Sequence, residues 1–236
     1  MTLDADTRTM RDTVVKLVGK LNHPLNHPVI DKAMGRTSAG YGILQPRVTP
    51  SLTPDGQGSF FQRLFSINRG IDPYVFAVSD TYQDLFGEGS FTGKGLYHVD
   101  TVEQTLSGRI PDNTVLSHDL LESAYARAAL VTDVEVFEDY PVRYLVDASR
   151  HHRWARGDWQ LLPWILNLRS GISGLSRWKM VDNLRRSITP MLWVMASIAG
   201  WTVLGPWAAA LWQMLLIVSL FVPLLLGLLR GLVFCD

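Results

Sequence analysis

The chain of 236 residues has one cysteine, Cys235, so no internal disulfide framework holds it together, and the composition fits a reducing compartment. It has no excess of either charge: 22 basic and 22 acidic residues balance to zero. That excludes a bulk electrostatic grip on nucleic acid, which needs a basic surplus. It has no P-loop. The glycine-rich run Gly87-Glu88-Gly89-Ser90-Phe91-Thr92-Gly93-Lys94-Gly95 places Lys94 between two glycines with no Ser or Thr after it, whereas the P-loop spacing is G-x-x-x-x-G-K-[ST]. There is also no Asp, Glu, Lys or Arg between residues 188 and 229.

That uncharged stretch divides the sequence. Residues 1–187 carry nearly all the charge and read as a globular region. Residues 188–236 read as a membrane region, since one bilayer crossing takes roughly 20 apolar residues. Gly205-Pro206 splits the stretch, which predicts two transmembrane helices over about 188–204 and 207–229. Arg177, Lys179, Arg185 and Arg186 before the first and Arg230 after the second place both outer ends on the cytoplasmic side. No signal peptide is visible at the N-terminus. The expectation is a region facing the cytoplasm and anchored to the lipid bilayer.

Within 1–187, apolar runs alternate with amphipathic ones, which predicts an α/β layer architecture. Met1-Thr2-Leu3 reads as the end of a strand. Met10, Val14, Leu17 and Val18 stand at helical spacing, residues 40–48 read as a strand ending at Pro46, 131–136 as another, and 140–164 as mainly helical.

Four constellations could carry chemistry. Asp4-Ala5-Asp6 follows the first strand end; residues two apart in an extended segment point the same way, so the two carboxylates could share one hard divalent cation, or simply form an acidic turn. Ser117-His118-Asp119 leads into a helix. Asp119 there could be a general base or a helix-start acid favoured by the helix dipole, and Glu122 reads as a capping-box partner. Arg150-His151-His152-Arg153-Trp154-Ala155-Arg156 combines forked donors suited to a diphosphate with a flat indole face suited to a sugar ring; a lipid headgroup contact is the other reading. The glycine run around Lys94 could let backbone approach a substrate, or be a plain turn.

In this order the four pieces resemble the processive, inverting glycosyltransferases that include cellulose synthase. A strand-end D-x-D, an acid before a helix, an R-W segment and apolar helices follow one another as they do there. A narrower resemblance is to the cyclic β-1,2-glucan synthases. It is carried by Leu3-Asp4-Ala5-Asp6-Thr7, residues 42–50 (Gly-Ile-Leu-Gln-Pro-Arg-Val-Thr-Pro), Gly70-Ile71-Asp72-Pro73-Tyr74, Tyr82 to Gly95, Ser117 to Arg127, and His152 to Gln160.

The resemblance implies the C-terminal part of a GT-A (Rossmann-like) glycosyltransferase domain, followed by the two transmembrane helices, at the bacterial inner membrane. It implies inverting transfer of glucose from UDP-glucose to a growing β-1,2-glucan acceptor. Asp4 and Asp6 would hold Mg²⁺ or Mn²⁺, Asp119 would be the base, and Arg153, Trp154 and Lys94 would contact substrate. The sequence departs from the pattern at Arg150, where Gln is expected, at His118, where Glu is expected, and at His98, where an acid is expected. The nucleotide-binding half that precedes the D-x-D strand in such domains is expected as a partner. Two alternatives remain: a catalytically inactive membrane-anchored remnant, and a related polysaccharide synthase of different linkage.

Overall fold

The computed structural model describes residues 1–51, 58–65, 80–111 and 113–233. Gly70-Ile71-Asp72-Pro73-Tyr74 and Cys235 lie outside the described residues. The chain divides into two units, Met1–Asp182 and Asn183–Asp236.

The first unit is built on a mixed four-stranded sheet, in the order β1-β6-β4-β5. The strands are β1 (Thr7–Thr9), β4 (Ile43–Pro50), β5 (Leu96–Tyr97) and β6 (Ala128–Glu138); β2 (Val29–Asp31) and β3 (Arg36–Ala39) form a separate antiparallel pair. β4 and β6 run parallel at the centre, and β1 and β5 pair antiparallel at the edges. A parallel pair needs a crossover. Between β4 and β6 lie α2 (Phe60–Phe65), α3 (Thr81–Phe86), β5, α4 (Val99–Leu106) and α5 (Asp119–Ala126), after α1 (Thr13–Leu21) near the start of the chain.

The expected α/β layering is present, with both central strands longer than the sequence suggested. β4 does not stop at Pro46 but runs to Pro50. A proline cannot donate to a sheet ladder, and the β4–β6 register shifts between Pro46 and Arg47, where an irregularity accommodates it. β6 covers Ala128–Glu138 rather than 131–136, because its first four residues are all buried and show no alternation to read.

The sheet is covered on both sides. Leu17 and Leu21 of α1 lie one helical turn apart and pack with Leu44, Leu96, Ala129, Val131 and Val134. On the other side Ile43 and Ala128 pack with Phe91 and Ala126, while Leu121, Ala124 and Tyr125 of α5 form a further cluster with Leu161, Ile172 and Met180. The predicted 140–164 helix is two, α6 (Tyr144–Gln160) and α7 (Leu162–Leu166), with Pro163 tolerated in the first turn of α7.

The last two helices are α8 (Gly174–Val203) and α9 (Pro206–Val233). Among the described residues no helix is long and apolar enough to cross a membrane, so the two transmembrane helices expected over 188–204 and 207–229 are not supported. In α8 the apolar residues are diluted by Thr189, Pro190, Ser197, Gly200 and Thr202, and the described side chains of α9 end at Val222. The orientation drawn from flanking charge weakens too. Arg177 donates to the carbonyls of Trp164, Ile165 and Asn167, and Lys179 is buried. Within the second unit, Trp212 donates to the Ala196 carbonyl at 2.9 Å and seats its ring where a Cβ on Gly200 would stand. Much of the pair remains apolar and exposed, including Met195, Ile198, Trp201, Trp207 and Leu215.

Candidate functional site

The site begins where the N-terminal segment meets the carboxyl ends of the two parallel strands, the usual position for ligands in α/β sheets. Thr2 exchanges backbone hydrogen bonds with Gly95, at 2.9 and 3.1 Å, and β1 pairs Thr7 with Glu138. The acids Asp4 and Asp6 are therefore held between two anchors. Glu138, the last residue of β6, is 2% exposed and was not singled out from the sequence. One ligand oxygen from each of Asp4, Asp6 and Glu138 lies within 4.8 Å of the others.

Two cations join these three acids. Lys94 Nζ is 2.9 Å from Asp4 Oδ2 and 3.4 Å from Glu138 Oε2. Arg150 Nη2 is 3.3 Å from Asp6 Oδ2 and 3.5 Å from Glu138 Oε1. Burial works against the charge on Lys94, but Glu138 and Asp4 outweigh it and hold the ammonium above its ordinary value. Burial, helped by Asp6, holds Glu138 above its ordinary value against the pull of Lys94 and Arg150. With two cations this close, the carboxylate is the form consistent with the geometry.

Lys94 is thus brought to the predicted acids, and Arg150 is the arginine that reaches them. Arg153, three residues on, is exposed on α6. Trp154 lies one turn after Arg150, with the guanidinium 5.7 Å from its ring centroid. The signal for Arg150 was present in the sequence, as the residue at the first position of the R-W segment. Glu138 offered none, since a lone acid before Asp139-Tyr140-Pro141 looks like a strand end.

The glycine-rich run connects this cluster to Asp119. Its backbone lies flat against the sheet: a Cβ on Gly95 would stand 2.5 Å from the Leu44 carbonyl oxygen, and one on Gly89 2.9 Å from the Leu130 nitrogen. Gln45, fully buried, accepts from the Thr92 N–H and hydroxyl, and Lys179 donates to the carbonyls of Glu88 and Gly89 at 3.0 and 2.8 Å. At Gly93 the backbone takes φ +91, and an added Cβ would lie 3.3 Å from both Asp119 oxygens. Neighbouring residues of one loop therefore face the two acidic centres: Gly93 the Asp119 carboxylate, Lys94 the cluster around Glu138.

Asp119 opens α5 and accepts from the Ser117 hydroxyl at 3.2 Å. Its surroundings, then Glu122, push the carboxyl above its ordinary value against the pull of His118, Ser117 and Lys94. The Ser117 segment is docked on α6. Gln160 accepts from the Leu116 N–H at 2.8 Å, and Gly157 lets the helix approach until an added Cβ would be 3.1 Å from Ser117 Cβ. Gly157 and Gln160 lie on the same helix as Arg150, so α6 positions both centres.

Glu122 is not a capping-box partner. The cap residue of α5 is His118, it makes no side-chain cap bond, and Glu122 instead accepts from Tyr97. The two histidines of the His23–His27 loop have separate partners. His23 accepts from the Leu25 N–H, and His27 packs edge-on against His98.

No protein-family model matches the sequence. Over 231 residues the chain is 63% identical to the cyclic β-(1,2)-glucan synthase NdvB of Rhizobium meliloti (strain 1021). The match takes in 98% of this chain and 8% of that protein, so the chain spans a small part of its relative's length.

Proposed function

We propose that the chain is part of a cyclic β-(1,2)-glucan synthase and forms the acceptor-side half of its GT-A glucosyltransferase site, working on UDP-glucose with inversion. The observation that carries this reading is the pairing of two acidic centres across one loop. One is braced by two cations, and the other holds a carboxylate that accepts from Ser117 and faces the backbone of Gly93.

The donor set of the first centre fits a hard divalent cation. It is made of oxygens only, and three carboxylates converge. Asp4 and Asp6 would hold Mg²⁺ or Mn²⁺, with Glu138 in reach. When bound, such a cation supplies positive charge for the leaving diphosphate. Lys94 and Arg150 offer further donors for diphosphate oxygens, the guanidinium through its fork. Trp154 gives the sugar an apolar face beside them.

At the second centre, Asp119 takes the proton of the acceptor hydroxyl. The hydroxyl oxygen forms its bond to the anomeric carbon as the bond from that carbon to the diphosphate oxygen breaks. UDP departs with the electron pair. Attack from the face opposite the leaving group inverts the anomeric centre, and two centres separated by a loop suit that geometry. The raised proton affinity of Asp119 makes it a stronger base than an ordinary surface aspartate.

The exposed apolar side chains of α8 and α9 support association of this region with the bacterial inner membrane, without a crossing being assigned. The glucan acceptor and the preceding half of the domain are the remaining partners of this reading.

The test is UDP-glucose binding to the purified chain with and without Mn²⁺, in wild type and in Asp4→Ala/Asp6→Ala. Metal-dependent binding that disappears in the double variant is the expected result. Binding by the folded double variant that equals wild type would overturn the metal assignment.

A further inference from the structure

Glu122 stands one turn beyond Asp119 on α5, and both of its oxygens are engaged. Tyr97 donates its hydroxyl to Oε2 at 2.7 Å, and His118 Nδ1 lies 2.7 Å from Oε1. The Glu122 side chain is 13% exposed, while that of His118 is 51% exposed. A buried acid thus grips one nitrogen of a ring whose outer part meets solvent. The ring is not needed to start the helix, because His118 is the cap residue and makes no side-chain cap bond. With Nδ1 committed, Nε2 is the ring atom left for a ligand.

That ring flanks the proposed base. Ligand atoms of His118, Asp119 and Glu122 lie within 4.8 Å of one another. A cation is not the natural occupant, since Glu122 already serves Tyr97 and His118. Beside the half-exposed His118 ring, Gly93 presents only backbone to Asp119, and its positive φ disfavours any replacement. Two hydrogen-bonding groups side by side match a pair of hydroxyls on neighbouring carbons of a sugar ring.

We propose that His118 is an acceptor-binding residue whose Nε2 holds the hydroxyl adjacent to the one that attacks, with Glu122 and Tyr97 as positioning residues that fix the ring. The proposal rests on Asp119 being the base and deepens that reading, because it names what selects the acceptor hydroxyl. His118 takes one hydroxyl of a vicinal pair, and the other is delivered to Asp119. The side chain makes and breaks no covalent bond. Its contribution is recognition, and regiochemistry follows from it.

The experiment uses the intact polypeptide and a β-1,2-linked glucose disaccharide as acceptor at saturating UDP-glucose. His118→Ala raises the acceptor KM by roughly tenfold to a hundredfold, the loss of one hydrogen bond to a charged group. The donor KM stays as in wild type, and part of the product carries other linkages. His118→Gln, which keeps a donor, recovers much of the affinity, and Glu122→Gln with Tyr97→Phe falls between. In this chain alone, the ring nitrogens of His118 shift in nitrogen NMR when the disaccharide is added. An unchanged acceptor KM and linkage in His118→Ala, or ring nitrogens that ignore the disaccharide, overturns the proposal. Asp119→Asn separates the two readings. If it transfers normally, the base assignment falls. If it is inactive while His118→Ala behaves as wild type, only the role of His118 falls.

Discussion

The two acidic centres solve opposite problems. Around Glu138 three carboxylates are crowded together, and the fold answers with buried cations on Lys94 and Arg150. Around Asp119 the fold places a second acid, Glu122, beside the first and leaves the nearest loop residue without a side chain. Burial raises the proton affinity of Glu138 and of Asp119 alike. The first centre sets two cations against that rise and suits the handling of a diphosphate; the second adds a further acid and suits taking a proton. The same kind of side chain thus receives different chemistry from its neighbours.

The sharpest way to break this contrast is to remove the proton acceptor. Asp119→Asn lowers kcat by about 10²- to 10⁴-fold, the usual share of a general base, with UDP-glucose binding unchanged by calorimetry. It does not cost stability at neutral pH. Folding raises the proton affinity of Asp119, so its stabilising contribution is complete below its ordinary pKa of 3.8 and is lost as pH rises through the raised value. Thermal melts at pH 7 should show the variant at least as stable as wild type.

At the other centre the order of effects reverses. Glu138→Ala leaves Lys94 and Arg150 without their shared buried partner, and removal of one member of a buried ion pair costs about 3–5 kcal/mol. Urea unfolding measures that loss. A Glu138→Ala variant as stable as wild type would show that Asp4 and Asp6 alone satisfy the two cations.

The smallest effect sharpens the comparison. Glu122→Gln removes the negative neighbour of Asp119 and lowers its proton affinity, so the acidic limb of the kcat–pH profile moves to lower pH. An unmoved limb would assign the raised value to burial alone, which is the larger of the two causes.

Local pattern carried part of this architecture. Asp4-Ala5-Asp6 was legible as two acids two residues apart, but a turn in which the Thr7 N–H donates to the Asp4 carbonyl, not the expected strand alternation, holds them; the start of α5 was legible because Asp and Glu collect in a first turn. Gln45 and Gly157 stood inside the motifs quoted for the family resemblance, yet their tasks, anchoring Thr92 and admitting Ser117, depend on contacts 47 and 40 residues away in the chain. The extent of β4 was misjudged because a proline in a central strand is tolerated only where a register irregularity absorbs it. The two membrane crossings expected over 188–204 and 207–229 are not supported among the described residues.

By itself the sequence determined the alternating α/β plan and marked out the acids at 4, 6 and 119, and its likeness to a glucan synthase supplied the class of chemistry proposed for them. These follow from neighbours in the chain or from whole motifs, both of which survive without coordinates. Only the tertiary structure decided that Glu138 joins the first two acids, that Arg150 is the arginine at their side, and that Tyr97 and Glu122 orient His118. Each of these depends on segments distant in sequence, such as β5 against α5 and β6 against α6, coming together where burial and Coulomb interactions, rather than local periodicity, choose the partner.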